Sequence, residues 1–177
     1  MATDTSLTAT SGDIVITSDA DVSLEDLIGA ANLSVTSGGI LTTMGAANIT
    51  GATTIEAAAA TMDTASSLSA ASLEGTFTND TVLDQLTTTG NTTVTVSAGT
   101  LTLNDIISVD DALALIAEGC TQNADISAAS GVITAGSGPF TMAVGTSLTA
   151  TSLWVILSSP VTPTFHWKTS PVLQILV

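Results

Sequence analysis

Carboxylates are the main chemical resource of this chain, which carries 16 Asp and Glu residues against one Lys, one His and no Arg, for a net charge of -15. Two groupings could offer oxygen ligands to a cation: Asp19-Ala20-Asp21, with Asp13 close by, and Asp110-Asp111. Several carboxylates at one loop are what calcium takes as ligands. Neither grouping fits a calcium-loop signature, so both read as solvated corners, or as a helix start in the case of Asp110-Asp111. Ca2+ is the one ion this chemistry would admit, and no other cofactor is called for. Polysaccharide cleavage needs paired carboxylates, usually with a Lys, Arg or Tyr to stabilise charge or move protons. Tyr and Arg are absent, and Lys168 stands beside His166 and Trp167 in a C-terminal stretch unlike the rest. No catalytic residue is assigned, and an enzyme is not expected.

The same charge balance excludes partners. Binding a nucleic-acid backbone depends on Lys and Arg displacing counterions, and anionic membrane surfaces repel a chain of this sign. Cations and neutral sugars remain. No basic segment followed by an apolar one opens the numbered chain, and no run reaches the roughly 18 apolar residues of a membrane span. The single Cys120 reads as a small apolar filler. Asn32, Asn48, Asn79 and Asn91 each start a glycosylation sequon, but Asn32 and Asn91 read as corner residues. Thr-x-Thr pairs at 8/10, 76/78, 93/95, 100/102 and 149/151 are spaced too unevenly to place one pair on every repeat, and read as ordinary strand threonines.

The elements that would hold these residues follow from the alternation of apolar and polar side chains. In 32–43, Leu33, Val35 and Ile40 alternate with Ser34, Thr36 and Thr42 around Gly38-Gly39, the period of a strand with one buried face. The unit recurs at 6–17, loosely at 67–78, at 92–103, at 124–135 and at 147–158, where Leu153 replaces the Gly. A sharper repeat matches 27–32 with 86–91, an offset of 59 residues (91 - 32), or three turns of about 20. That offset makes Gly38-Gly39 the corner of a coil rather than a hairpin turn. Three segments, 23–28, 80–86 and 110–118, have helical character; the last has Asp residues in its first turn and Gly119 beyond its end.

Units of about 20 residues cannot bury an apolar face alone, and stacking them buries a continuous core of small side chains. The spacing predicts an all-β fold: a parallel right-handed β-helix (β-solenoid) of eight or so coils, with short helical insertions. The strand-Gly-strand units at 6–17 and 32–43 resemble the repeats of filamentous-haemagglutinin-type exoproteins and autotransporter passengers. The likeness runs over 6–159 and implies a secreted bacterial surface protein acting as an adhesin or fibre component.

The organisation expected is a repeat domain, 1–159, and a proline-containing tail, 160–177, that caps the last coil or docks on a neighbouring subunit. Phe165, Trp167, Val172, Leu173, Ile175, Leu176 and Val177 are the candidate interface residues. The function expected is a non-catalytic extracellular fibre, surface-layer or adhesin-stalk protein that self-associates into a homopolymer. The alternatives are a monomeric module binding a glycan or cell-surface receptor and, further off, a polysaccharide-degrading enzyme.

Overall fold

The structure, a computed structural model, describes residues 6–157 and 173–176, with side chains as far as Ser152. Its strands in chain order are β1 (Ser6–Thr8), β2 (Ile14–Ser18), β3 (Val22–Leu24), β4 (Asp26–Ala30), β5 (Leu33–Thr43), β6 (Ala46–Ile49) and β7 (Ala52–Met62). Then come β8 (Ser67–Ala70), β9 (Ser72–Phe77), β10 (Thr81–Leu83), β11 (Gln85–Thr88), β12 (Thr92–Val96) and β13 (Thr100–Leu103). The last are β14 (Ile107–Ala117), β15 (Gly119–Gln122), β16 (Ile126–Ala135), β17 (Phe140–Met142), β18 (Leu148–Leu157) and β19 (Leu173–Leu176). All pairings are parallel, and they wind the chain into a β-solenoid of about 7 turns at roughly 20-residue spacing.

The ladders sort into three faces. Sheet 1 stacks β2, the first halves of β5 and β7, β9, β12, the second halves of β14, β16 and β18, and β19. Sheet 2 stacks β3, the second halves of β5 and β7, β10, β13, β15 and β17. Sheet 3 stacks β1, β4, β6, β8, β11 and the first parts of β14, β16 and β18. Leu33 pairs with Thr53, Thr53 with Leu73 and Leu73 with Thr92, so the 59-residue offset does span three coils.

Alternation along each strand sends one set of side chains into the shared interior. Leu27, Leu86, Ile107 and Ile126 fill it from sheet 3, Val35, Val94, Leu115 and Ile133 from sheet 1, and Leu41, Leu101 and Cys120 from sheet 2. Gly75 stands in the row between Ile55 and Val94, and the Phe77 ring folds into the space: a Cβ at Gly75 would lie 2.9 Å from Phe77 Cε2. A cavity of about 40 Å³ lies beside Leu41, Ala60, Leu68 and Phe77.

The helical segments are strands. Leu24 and Leu27 are three apart because the corner at Glu25 resets the alternation between β3 and β4, and Leu83 and Leu86 repeat this around Asp84, between β10 and β11. A corner one residue long thus mimics the i, i+3 spacing of a helix. Residues 110–118 belong chiefly to β14, whose register slips between Val109 and Ala112 and leaves Asp110 and Asp111 exposed on the bend while Leu113, Leu115 and Ala117 point inward. The Asp pair therefore marks a bulge, not a helix start.

The strand-Gly-strand unit also proves to be two motifs. At 32–43 and 92–103 it spans the corner from sheet 1 to sheet 2, whereas at 6–17, 67–78, 124–135 and 147–158 it spans the corner from sheet 3 to sheet 1. Mixing the two corners is what made the spacing uneven.

Candidate functional site: carboxylates at the corners, hydroxyls on the faces

A repeated device occupies the corners. Asp21 Oδ1 accepts the Ile40 amide at 2.8 Å, Asp80 Oδ1 the Thr100 amide at 2.8 Å, and Glu118 Oε2 the Ser137 amide at 2.9 Å. Asp26 does the same for Ala46 at 2.8 Å, and Asn32 Oδ1 for Ala52 at 2.9 Å. In each case the acceptor lies 19 or 20 residues before the amide, one coil back. A glycine precedes the amide each time: Gly39, Gly99, Gly136, Gly45 and Gly51. A Cβ on any of these glycines would overlap the accepting side chain. The missing side chain is thus the slot through which one coil's carboxylate reaches the next coil's backbone.

These clamps account for several carboxylates singled out by type. Asp21 is a clamp, and Asp13 Oδ1 accepts Asn32 Nδ2 at 2.8 Å. Asp19, Asp110 and Asp111 are exposed. Among the described residues no three His, Cys, Asp or Glu side chains are grouped so as to hold a metal ion. Asn32 and Asn91 stand at corners, and Asn91 Oδ1 accepts the Ala112 amide at 3.3 Å.

Two carboxylates depart from their ordinary titration. The Ser137 hydroxyl, and then its amide, hold Glu118 below the usual range. Burial pushes Asp84 above it, with the charges of Asp105 and Asp63 acting the same way against the stabilising amides of Ala65 and Ser66. Asp84 Oδ2 is buried without a hydrogen-bond partner. Cys120 packs between Leu101 and Phe140, and burial pushes its thiol up to about 12, which keeps it protonated and inert.

Hydroxyls, by contrast, line the outside. On sheet 2 the register aligns Ser23, Thr42, Thr61, Val82, Thr102, Thr121 and Thr141 in one outward column. On sheet 1 a column runs Thr17, Thr36, Glu56, Thr76, Thr95, Ile116, Thr134. The Thr-x-Thr pairs do not stack as pairs, since Thr76 lies on sheet 1 and Thr78 beyond its end. The signal was one outward position every 18 to 21 residues, a hydroxyl in most coils but Val82, Glu56 or Ile116 in others, and it is invisible to a search for pairs within a strand. Shallow hollows lined by Thr54, Glu74, Asn91, Thr93 and Ser130 lie elsewhere on sheet 1.

Of the interface residues proposed for the tail, Phe165, Trp167, Val172 and Val177 lie outside the described residues. Leu173, Ile175 and Leu176 lie on β19, whose backbone pairs in parallel with β18 from Leu153↔Leu173 to Ile156↔Leu176. The fold and its surfaces define a parallel β-solenoid repeat protein. No family model, curated protein or solved structure matches this chain.

Proposed function

We propose that this chain is a non-catalytic structural protein of the cell exterior, a segment of fibre, surface layer or adhesin stalk, and that it lengthens by stacking subunits end to end. The observation that carries this reading is the last rung: β19 pairs with β18 on one edge, and its other edge has no partner among the described residues. A parallel edge of this kind offers backbone donors and acceptors at the spacing a further coil would need. Residues 160–177, with Phe165, Trp167, Val172, Leu173, Ile175, Leu176 and Val177, are the proposed docking segment. The resemblance to filamentous-haemagglutinin-type repeats supports an extracellular setting.

The test is assembly state. Full-length protein and a variant lacking 160–177 are compared by sedimentation and negative-stain microscopy; filaments from the first and monomers from the second are expected. Filaments of equal length from both would remove the tail from the interface.

A second reading, a monomeric module for neutral glycans, is favoured by the outward hydroxyl columns and the hollows beside Asn91 and Thr93. Glycan-array binding by a protein that stays monomeric would select it.

A further inference from the structure

Asp84 is the whole corner between β10 and β11, and it is only 3% exposed. The coil before it crosses the same corner with the longer turn 63–66, closed by the Ser66 amide on Asp63 O at 2.9 Å and bent at Ala65, where φ is 70°. The coil after it crosses with 104–106, held by the Ile106 amide on Asp105 Oδ1 at 2.7 Å. Asp84 is sandwiched between the two. The amides of Ala65 and Ser66 face its carboxyl, the carboxylates of Asp63 and Asp105 bear on it from the flanking coils, and its Oδ2 has no partner. The only basic side chains, His166 and Lys168, lie outside the described residues, so none of those residues neutralises it.

We infer that Asp84 is a proton-operated clasp: with a proton on Oδ2 it locks three successive coils at this corner, and on losing the proton it loosens them. An ionised carboxylate here is a third negative charge between two others, with one oxygen shut off from water, which is costly. Protonation removes that charge and turns the orphan acceptor into a donor. The upward displacement of its titration from the ordinary 3.8 agrees. For a carboxyl whose folded pKa is raised, the folded state holds the proton more tightly than the unfolded chain. Its contribution to stability is therefore greatest below the ordinary value and falls as pH rises through the folded pKa. The solenoid is stiffest at this corner in acid.

The experiment compares thermal unfolding of the full chain and of Asp84→Asn from neutral pH down into the carboxylate range, with amide exchange read at Ala65, Ser66 and 104–106. The asparagine variant should unfold at a higher temperature at neutral pH, with slower exchange at Ala65 and Ser66, and the gap should close in acid. No gap, a gap of opposite sign, or one independent of pH would overturn the proposal. Adding calcium chloride at neutral pH checks the competing ligand: if the ion raises the unfolding temperature of the native chain and Asp84→Asn removes that rise, Asp84 holds a cation and the proton assignment fails. Should the variant not fold, carboxyl carbon NMR of the native chain decides, since an Asp84 midpoint at or below the ordinary aspartate value is equally fatal.

Discussion

The corner from sheet 1 to sheet 2 and the corner from sheet 2 to sheet 3 both set a carboxylate from one coil against amides of a neighbouring coil, yet with opposite results. At the first, Glu118 reaches forward to Ser137 from an exposed position, and the hydroxyl and amide it meets stabilise its charge. At the second, Asp84 lies back under the turn 63–66, and burial destabilises its charge although two amides face it. Hydrogen bonds of one kind therefore do not fix the sign. What differs is the second oxygen, which meets water in Glu118 and is buried without a partner in Asp84.

The largest effects are expected at the glycine slots. Gly39→Ala should be the most damaging of the changes considered, at about 1–3 kcal/mol, the range for forcing extra volume into a closed space. The new Cβ would strike not only Asp21 Oδ1 but also Asp21 N, at 2.8 Å, and Ala20 C, at 3.1 Å. Because backbone is in the way, Asp21→Ala should not rescue it. At Gly136 the three nearest atoms all belong to the Glu118 side chain, with Oε2 at 2.9 Å. Gly136→Ala should therefore cost less, and Glu118→Ala should relieve most of that cost. Denaturant unfolding of the two double-mutant cycles measures the coupling; equal rescue at both sites would mean that the slots are not shaped as described.

Much of the solenoid was legible because its period is carried by ordinary strand residues: the 27–32 and 86–91 match locates the same corner three coils apart. The corners were less legible, since they reset the alternation. Glu25 and Asp84 turned two strands into an apparent helical spacing, and the bulge after Val109 did the same to β14. The clamps were hidden for another reason. An acid and a Gly-x step 19 or 20 residues later have no local relation, and the sequence around Asp21, Asp80 and Glu118 shares nothing else. Asp84 carries no local signal, because its burial depends on the turns of the flanking coils, which no window around residue 84 contains.

A smaller effect isolates the clamp from the slot. Asp80 Oδ1 accepts the Thr100 amide at an exposed corner. Asp80→Ala leaves that amide to water and should cost about 0.5–1.5 kcal/mol, whereas Asp80→Asn, which keeps an acceptor oxygen, should cost little. Amide exchange at Thr100 reads the difference directly. If both variants lose the same stability, charge rather than the hydrogen bond holds this corner, and the likeness between Asp80 and the neutral clamp at Asn32 is lost.

The smallest effect tests the sign. Glu118 has its folded pKa lowered from the ordinary 4.5, so the folded state releases its proton more readily than the unfolded chain. The stability it contributes is present above the ordinary value and is lost as pH falls through the folded pKa. Glu118→Gln should thus be slightly less stable than the native chain at neutral pH, with the deficit vanishing in acid and shrinking with salt, because the site is exposed and screened. Asp84→Asn should show the reverse, a surplus at neutral pH that also vanishes in acid. Opposite slopes from two acid-to-amide changes, measured by thermal unfolding in the same buffers, would tie the sign of each corner's pH response to the fate of one oxygen. Parallel slopes would mean that the overall charge of -15, and not the local corner, governs how this solenoid responds to pH.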